Sequence, residues 1–348
     1  MIIRNLSAKP ILNSAGNWTI ECRIEDKQNN SISASVPQGI STGLEEKKSS
    51  QIDSAVQEIE EQILPQIQNQ DLNQSRLDKI LETGNWGGNA TLAVSAAFFK
   101  LENQLNPIAK QTIPKMMMLI FEGEEHGNPE LTIQEFMVVT DKIEEGIALY
   151  QKAIAETKKQ GGLDTVGSEG GMSPAGFTDN QILEIMKTIG VDQIALDVVG
   201  NVHPPTPDSL LEIVRRYPIY SLEDPFPEDQ IDNWQNFFQE VRTVNPEILI
   251  VADDLTVTDA SKIEQGANKL FNAVIIKPNQ QGTISAAVGA VKTAKRLGIK
   301  TIASHRGQET NDDWIADFAI RFQTDYVKFG APNRGERVAK YNRLIDND

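Results

Sequence analysis

The chain has 348 residues, enough for one large domain with a smaller one attached, and a core of that size buries most of its apolar surface. Asp and Glu exceed Lys and Arg by 49 to 33, a net charge of −16, which argues against a sequence-independent grip on nucleic acid or on an anionic membrane. Cys22 is the single cysteine, so no disulfide can form within the chain; together with the lack of an N-terminal signal pattern or a long apolar span, this leads us to expect a cytoplasmic protein.

In chain order, "TIECRIED" (residues 19–26) and "SISASVP" (31–37) alternate around the polar break "KQNN" and predict a β-hairpin. Three helical stretches follow. Ile52, Val56, Ile59 and Ile63 recur at helical spacing, and "NATLAVSAAFFKLENQL" is rich in Ala and Leu. Residues 1–110 are therefore expected to form a small α+β cap domain, ending in the two-proline connector "NPIAKQTIPK".

From residue 111 to 348 the rhythm changes to short apolar strands alternating with amphipathic helices. The expected strands are "FMVVT", "LDTVG", "QIALDV", "IYSLED", "ILIVADD", "AVIIKP", "IKTIAS" and "DYVKFG". Between them lie helix-length segments such as "TDNQILEIMKTIG", which opens on a Thr178/Gln181 capping box and leaves through Gly190. Strict alternation implies a parallel sheet, and about eight strands in ~230 residues suit a closed β/α barrel better than an open sheet.

Polar groups stand where these strands end: Asp197, Glu223, Asp253, Lys277, His305 and Lys328, spaced 23 to 30 residues apart, one βα unit each. In a β/α barrel all such ends face one mouth. Three successive carboxylates form an all-oxygen, triply anionic site suited to Mg²⁺. Any one of them alone reads more simply as a helix cap. Two lysines on the following strands offer a base, whose ammonium a divalent cation would make easier to deprotonate.

Nine motifs then fall into a familiar order: "VPQGISTG", "HGNPELTIQEFM", "VGSEGGMSP", "ALDV", "SLEDPF", "VADDLTVT", "IIKPNQQGT", "SHRGQET" and "KFGAPNRGERVAKYN". Together they resemble the enolase (phosphopyruvate hydratase) family from near the N-terminus to the C-terminus. The resemblance implies a cap domain on a modified TIM-like β/α barrel. It also implies a glycolytic carbon–oxygen lyase that interconverts 2-phosphoglycerate and phosphoenolpyruvate with two Mg²⁺ ions, the second bound with substrate, and a homodimer or higher homo-oligomer.

By position, Lys277 resembles the family's base, Glu169 the acid that helps the hydroxyl leave, Glu135 its neighbouring carboxylate and His126 a group near that hydroxyl. Asp197, Glu223 and Asp253 match the first metal's ligands, and Ser41 matches a loop serine on the second. Gln134, His305, Arg306 and Lys328 match substrate contacts.

Some positions depart. Gly307 stands where the family has serine, Ser168 where it has an acid, Glu45 where it has histidine, and Phe121–Glu122 where it favours Asn-Gly. Ala15 and Trp18 stand where the family has an arginine and a proline, and the chain is shorter than usual after the loop that carries Ser41 and Glu45, around "TGNWGGNA" and at "DVVGNVHPPTPDS". Two other functions therefore stay open: a paralogue acting on another carboxylate, and a non-catalytic binding protein on the same scaffold.

Overall fold

The computed structural model describes residues 1–39, 45–107, 111–198 and 205–347. The chain opens on a three-stranded antiparallel sheet of β1 (Ile3–Leu12), β2 (Trp18–Asp26) and β3 (Ser31–Ser35), in that order. The expected hairpin is β2–β3, and β1 adds to its free edge with Leu12 opposite Trp18. Helical backbone follows from Ile52 to Ile67, then the helices Gln74–Thr83 and Gly88–Leu105. Ile59 and Ile63 are fully buried, as their spacing predicts.

Eight further strands close a barrel in the order β10-β11-β4-β5-β6-β7-β8-β9. They are β4 (Lys115–Glu122), β5 (Glu135–Thr140), β6 (Ile194–Asp197), β7 (Ile219–Glu223), β8 (Leu249–Ala252), β9 (Ala273–Ile276), β10 (Lys300–Ser304) and β11 (Tyr326–Lys328). The barrel expectation holds, with two corrections. "LDTVG" is not a strand: Leu163 is 71 % and Val166 43 % exposed, so no burial holds it extended. Its place in the count is taken by β4, a methionine-rich run whose buried position between β11 and β5 overrides a helix-tolerant composition.

The second correction concerns direction. β5 runs antiparallel to both neighbours. The link from β4 to β5 contains only the short turn Glu124–His126, and without a crossover helix the chain cannot return parallel. Consequently the first residue of β5, Glu135, stands at the same mouth as the last residues of the other strands. Register makes this explicit: Glu122 pairs with Glu135, Glu135 with Asp197, and Asp197 with Glu223.

The helix Asp179–Thr188 begins on the expected box, with Thr178 N donating to Gln181 Oε1 at 2.9 Å, and Gly190 leaves it at φ +87°. The cap region meets the barrel through polar contacts beside the mouth. Gln38 and Gln308 exchange backbone hydrogen bonds, and Glu309 N donates to Ser14 Oγ at 3.1 Å.

Candidate active site

Each strand-end residue arrives where the sequence places it. Asp197, Glu223 and Lys328 end β6, β7 and β11; Asp253, Lys277 and His305 directly follow β8, β9 and β10. One cleft of about 60 Å³ is lined by ten of the candidate residues: His126, Gln134, Glu135, Glu169, Asp197, Asp253, Lys277, His305, Arg306 and Lys328. Ser41 lies outside the described residues.

The charges in the cleft sort into two groups. On one side Lys328, buried, puts Nζ 2.7 Å from Asp197, 2.8 Å from Glu135 and 2.9 Å from Glu223. Burial alone would lower its pKa, but Asp197, Glu135 and Glu223 outweigh it and hold the ammonium well above its usual range. Lys277 bonds Asp253, which raises its pKa against the pull of burial. The carboxylates expected around one cation are thus shared here between two ammonium groups.

Of the expected ligands Asp197, Glu223 and Asp253, only Asp253 belongs to a set of acids whose oxygens lie within 4.8 Å of one another among the described residues, but unpaired acid oxygens remain for a hard divalent cation. Asp197 Oδ1 is buried with no hydrogen-bond partner, and Asp253 is close-packed with Asp224 and Asp254, their oxygens within 4.8 Å of one another. Burial, then Asp253, pushes Asp254 up to about 6, while burial and both neighbours drive Asp224 well above the carboxylate range. So much oxygen-borne negative charge in so little volume suits an oxygen-seeking cation.

Across the cleft stands Glu169, buried in the turn Gly167–Gly171. His305 Nε2 is 3.0 Å from its Oε2, and His126 Nδ1 is 3.8 Å from its Oε1 and 3.9 Å from Glu135. Burial would raise the Glu169 carboxyl, yet His305, His126 and Arg337 hold it well below its usual range. Glu135 goes the other way, driven well up by burial despite Lys328. Two neighbouring carboxyls pushed apart in this way make an acid–base pair. His305 itself is lowered to about 4, mainly by burial.

Local backbone explains why Glu169 can sit there. A side chain at Gly167 would place Cβ 2.1 Å from Glu122 Oε1 and 2.4 Å from the His126 carbonyl, so only glycine lets the turn close. Glu122 in turn accepts the Glu169 amide at 3.1 Å.

Four contributors escape sequence reasoning. Glu122 and Arg337 support the Glu169 side. Asp224 accepts the amides of Asp253 and Asp254, both at 3.0 Å, and Glu46 grips Arg306 bidentately at 3.0 and 3.1 Å. Only Glu122 had left a signal, as an acid in place of an expected turn. Arg306 takes Glu46 with its guanidinium and meets Glu309 through its backbone amide at 3.0 Å.

Fold and site define a β/α-barrel protein whose mouth can hold a cation and a small anion between opposed carboxylates and amines. The enolase N-terminal domain profile matches residues 3–108, and the enolase C-terminal TIM barrel domain profile matches residues 110–198 and 205–348. The chain belongs to the enolase family. Curated enolases resemble it along their length: 32 % identity to that of Campylobacter lari (100 % of this chain, 98 % of the relative), 31 % to that of Methanocaldococcus jannaschii (99 % and 94 %) and 30 % to one from Helicobacter pylori (99 % and 95 %). The first of these alignments runs over 411 positions, so relatives carry more than fifty residues that this chain of 348 lacks.

Among the described residues, no helix is long and apolar enough to cross a membrane.

Proposed function

We propose that this chain is a phosphopyruvate hydratase, dehydrating 2-phosphoglycerate reversibly to phosphoenolpyruvate. The observation that carries the reading is one cleft lined by both Lys277, which follows β9, and Glu169, in the turn Gly167–Gly171. The division of labour follows from their surroundings. Lys277 accepts the α-proton. Glu135, kept protonated by burial, supplies a proton through its neighbour Glu169 to the β-hydroxyl, so that water leaves and the C–C double bond forms. Lys328 and Arg306 neutralise the substrate's carboxylate and phosphate, and Gln134 lines the cleft beside them.

Asp253 holds Lys277 protonated, so a ligand that draws off its charge releases the amine to act as base. Asp197, Glu223 and Asp253 would hold Mg²⁺, with Ser41 contributing to a second ion alongside substrate; the metal supplies the positive charge that a doubly ionised carboxylate needs.

The reading extends to a cap domain of residues 1–110 on a barrel of 111–348, a cytoplasmic location, and a homodimer or higher homo-oligomer. A second reading, another carboxylate substrate, is favoured by Gly307, which offers a phosphate no hydroxyl. The deciding experiment is absorbance detection of phosphoenolpyruvate from 2-phosphoglycerate with Mg²⁺ and with excess EDTA. Turnover with metal that EDTA abolishes is expected; turnover persisting in EDTA contradicts the reading, and none with metal favours the alternative substrate.

A further inference from the structure

Arg337, on the helix Gly335–Ile345, is 0 % exposed yet spends its guanidinium on the cleft wall. Its Nη1 lies 2.9 Å from His305 Nδ1 and donates to the Arg306 carbonyl at 2.7 Å; Nη2 donates to the Gly307 carbonyl at 2.6 Å. A guanidinium has only donors and does not deprotonate in proteins. His305 Nδ1 must therefore present its lone pair, which leaves the ring proton on Nε2, 3.0 Å from Glu169 Oε2.

We propose that Arg337 is a positioning residue: it fixes the His305 tautomer, so that the ring proton lies on the nitrogen 3.0 Å from Glu169, and with the same guanidinium holds the 305–307 turn from which Arg306 enters the cleft. Its consequence for turnover rests on the dehydration proposed above, whereas the tautomer follows from geometry alone.

The surroundings leave the ring little freedom. A Cβ at Gly330 would come within 2.9 Å of His305 Cε1, so the ring packs against bare backbone, and Tyr341 Oη anchors that backbone by donating to the Gly330 carbonyl at 2.7 Å. Gly307, having no side chain, adds nothing of its own to hold the turn, so the two carbonyl bonds from Arg337 support it together with Ser14 Oγ, which donates to the Gly307 carbonyl at 3.4 Å, and Glu309, which accepts the Arg306 amide. Burial, with the Arg337 charge, outweighs Glu169 and disfavours the imidazolium, in keeping with a neutral ring whose proton sits on one defined nitrogen.

A purely structural role predicts lower stability and nothing more, so the test reads the ring itself. Long-range proton–nitrogen spectra of histidine-labelled protein report the tautomer directly, and three histidines make assignment tractable. The unmodified protein is expected to show His305 protonated on Nε2 only. Arg337→Met should lose that single state and lower kcat by roughly tenfold to a hundredfold, with a smaller change in KM.

A His305 protonated on Nδ1 overturns the proposal, as does an Arg337→Met protein with unchanged tautomer and kcat. Should that variant fail to fold, Arg337→Gln, whose amide no longer presents donors alone, is read against the same outcomes. If the unmodified protein does not turn over 2-phosphoglycerate, the functional reading fails while the tautomer measurement still decides the role of Arg337.

Discussion

Lys277 and Asp253 show what one residue pair contributes. Without its carboxylate partner a buried amine would shed its proton easily; beside Asp253 it keeps it. The proposed base is thus protonated until the charge on Asp253 is engaged elsewhere, coupling ligand binding to readiness for chemistry. Lys277→Ala is expected to lower kcat by roughly 10²–10⁴-fold, the usual contribution of a positioned base, and steady-state kinetics measure it.

Glu122 carries a second prediction. Burial, and then the charge of Glu169, pushes its carboxyl up to about 9. The folded chain therefore keeps a proton that the unfolded chain has released. This contribution to stability is full below the ordinary carboxyl range and is lost as pH rises from there through about 9. Glu122→Gln, neutral at every pH, should flatten that decline, so its melting temperature relative to the unmodified protein rises between roughly pH 5 and pH 8. A constant difference across that interval contradicts the assignment.

Among the elements, β5 does most to shape the site. Its sequence, "EFMVVT", reads as one more apolar strand, and nothing in its residues states its direction. Its antiparallel course follows from the short connection before it, and that course brings Glu135 to the mouth. A barrel of eight parallel strands would have placed it at the opposite end.

The helix Ile284–Arg296 makes a different point. Its first amides are satisfied from the cap region: Ile284 N donates to Ser95 Oγ at 2.9 Å and Ser285 N to Asp78 Oδ2 at 2.8 Å. Helix starts need such partners, and here the partners also join two parts of the chain. Asp78→Ala leaves buried donors unpaired and should cost about 1–3 kcal/mol in denaturant unfolding. A smaller loss in one shared transition would show that the junction does not depend on this bond.

At the scale of the whole molecule, charge and ligand binding are linked. The chain carries −16 overall and concentrates acids at the barrel mouth, so a bound cation should relieve repulsion as well as complete a site. Mg²⁺ with 2-phosphoglycerate is expected to raise the melting temperature, corresponding to about 2.7 kcal/mol at a hundredfold excess over the dissociation constant. Mg²⁺ with an unphosphorylated hydroxy acid should do less; equal shifts would move the proposal toward another carboxylate. Sedimentation tests the homo-oligomer expected from the family; a monomer at working concentration would contradict that expectation.

The sequence by itself determined the closed barrel and most of the candidate residues that line the cleft, but not the presence of β4, the direction of β5 or the place of Asp224 in the lining. Apolar periodicity marks most of the strands, and charged residues at strand ends are legible because the closed barrel converts a one-dimensional spacing into a common mouth. It did not determine which charge meets which. That Lys328 gathers Asp197, Glu135 and Glu223, that Glu46 reaches Arg306 from the cap region, and that Arg337 sets a histidine ring were decided by tertiary structure alone. The physical reason is that burial and pairing depend on distances between residues far apart in the chain, and local pattern carries no record of those distances.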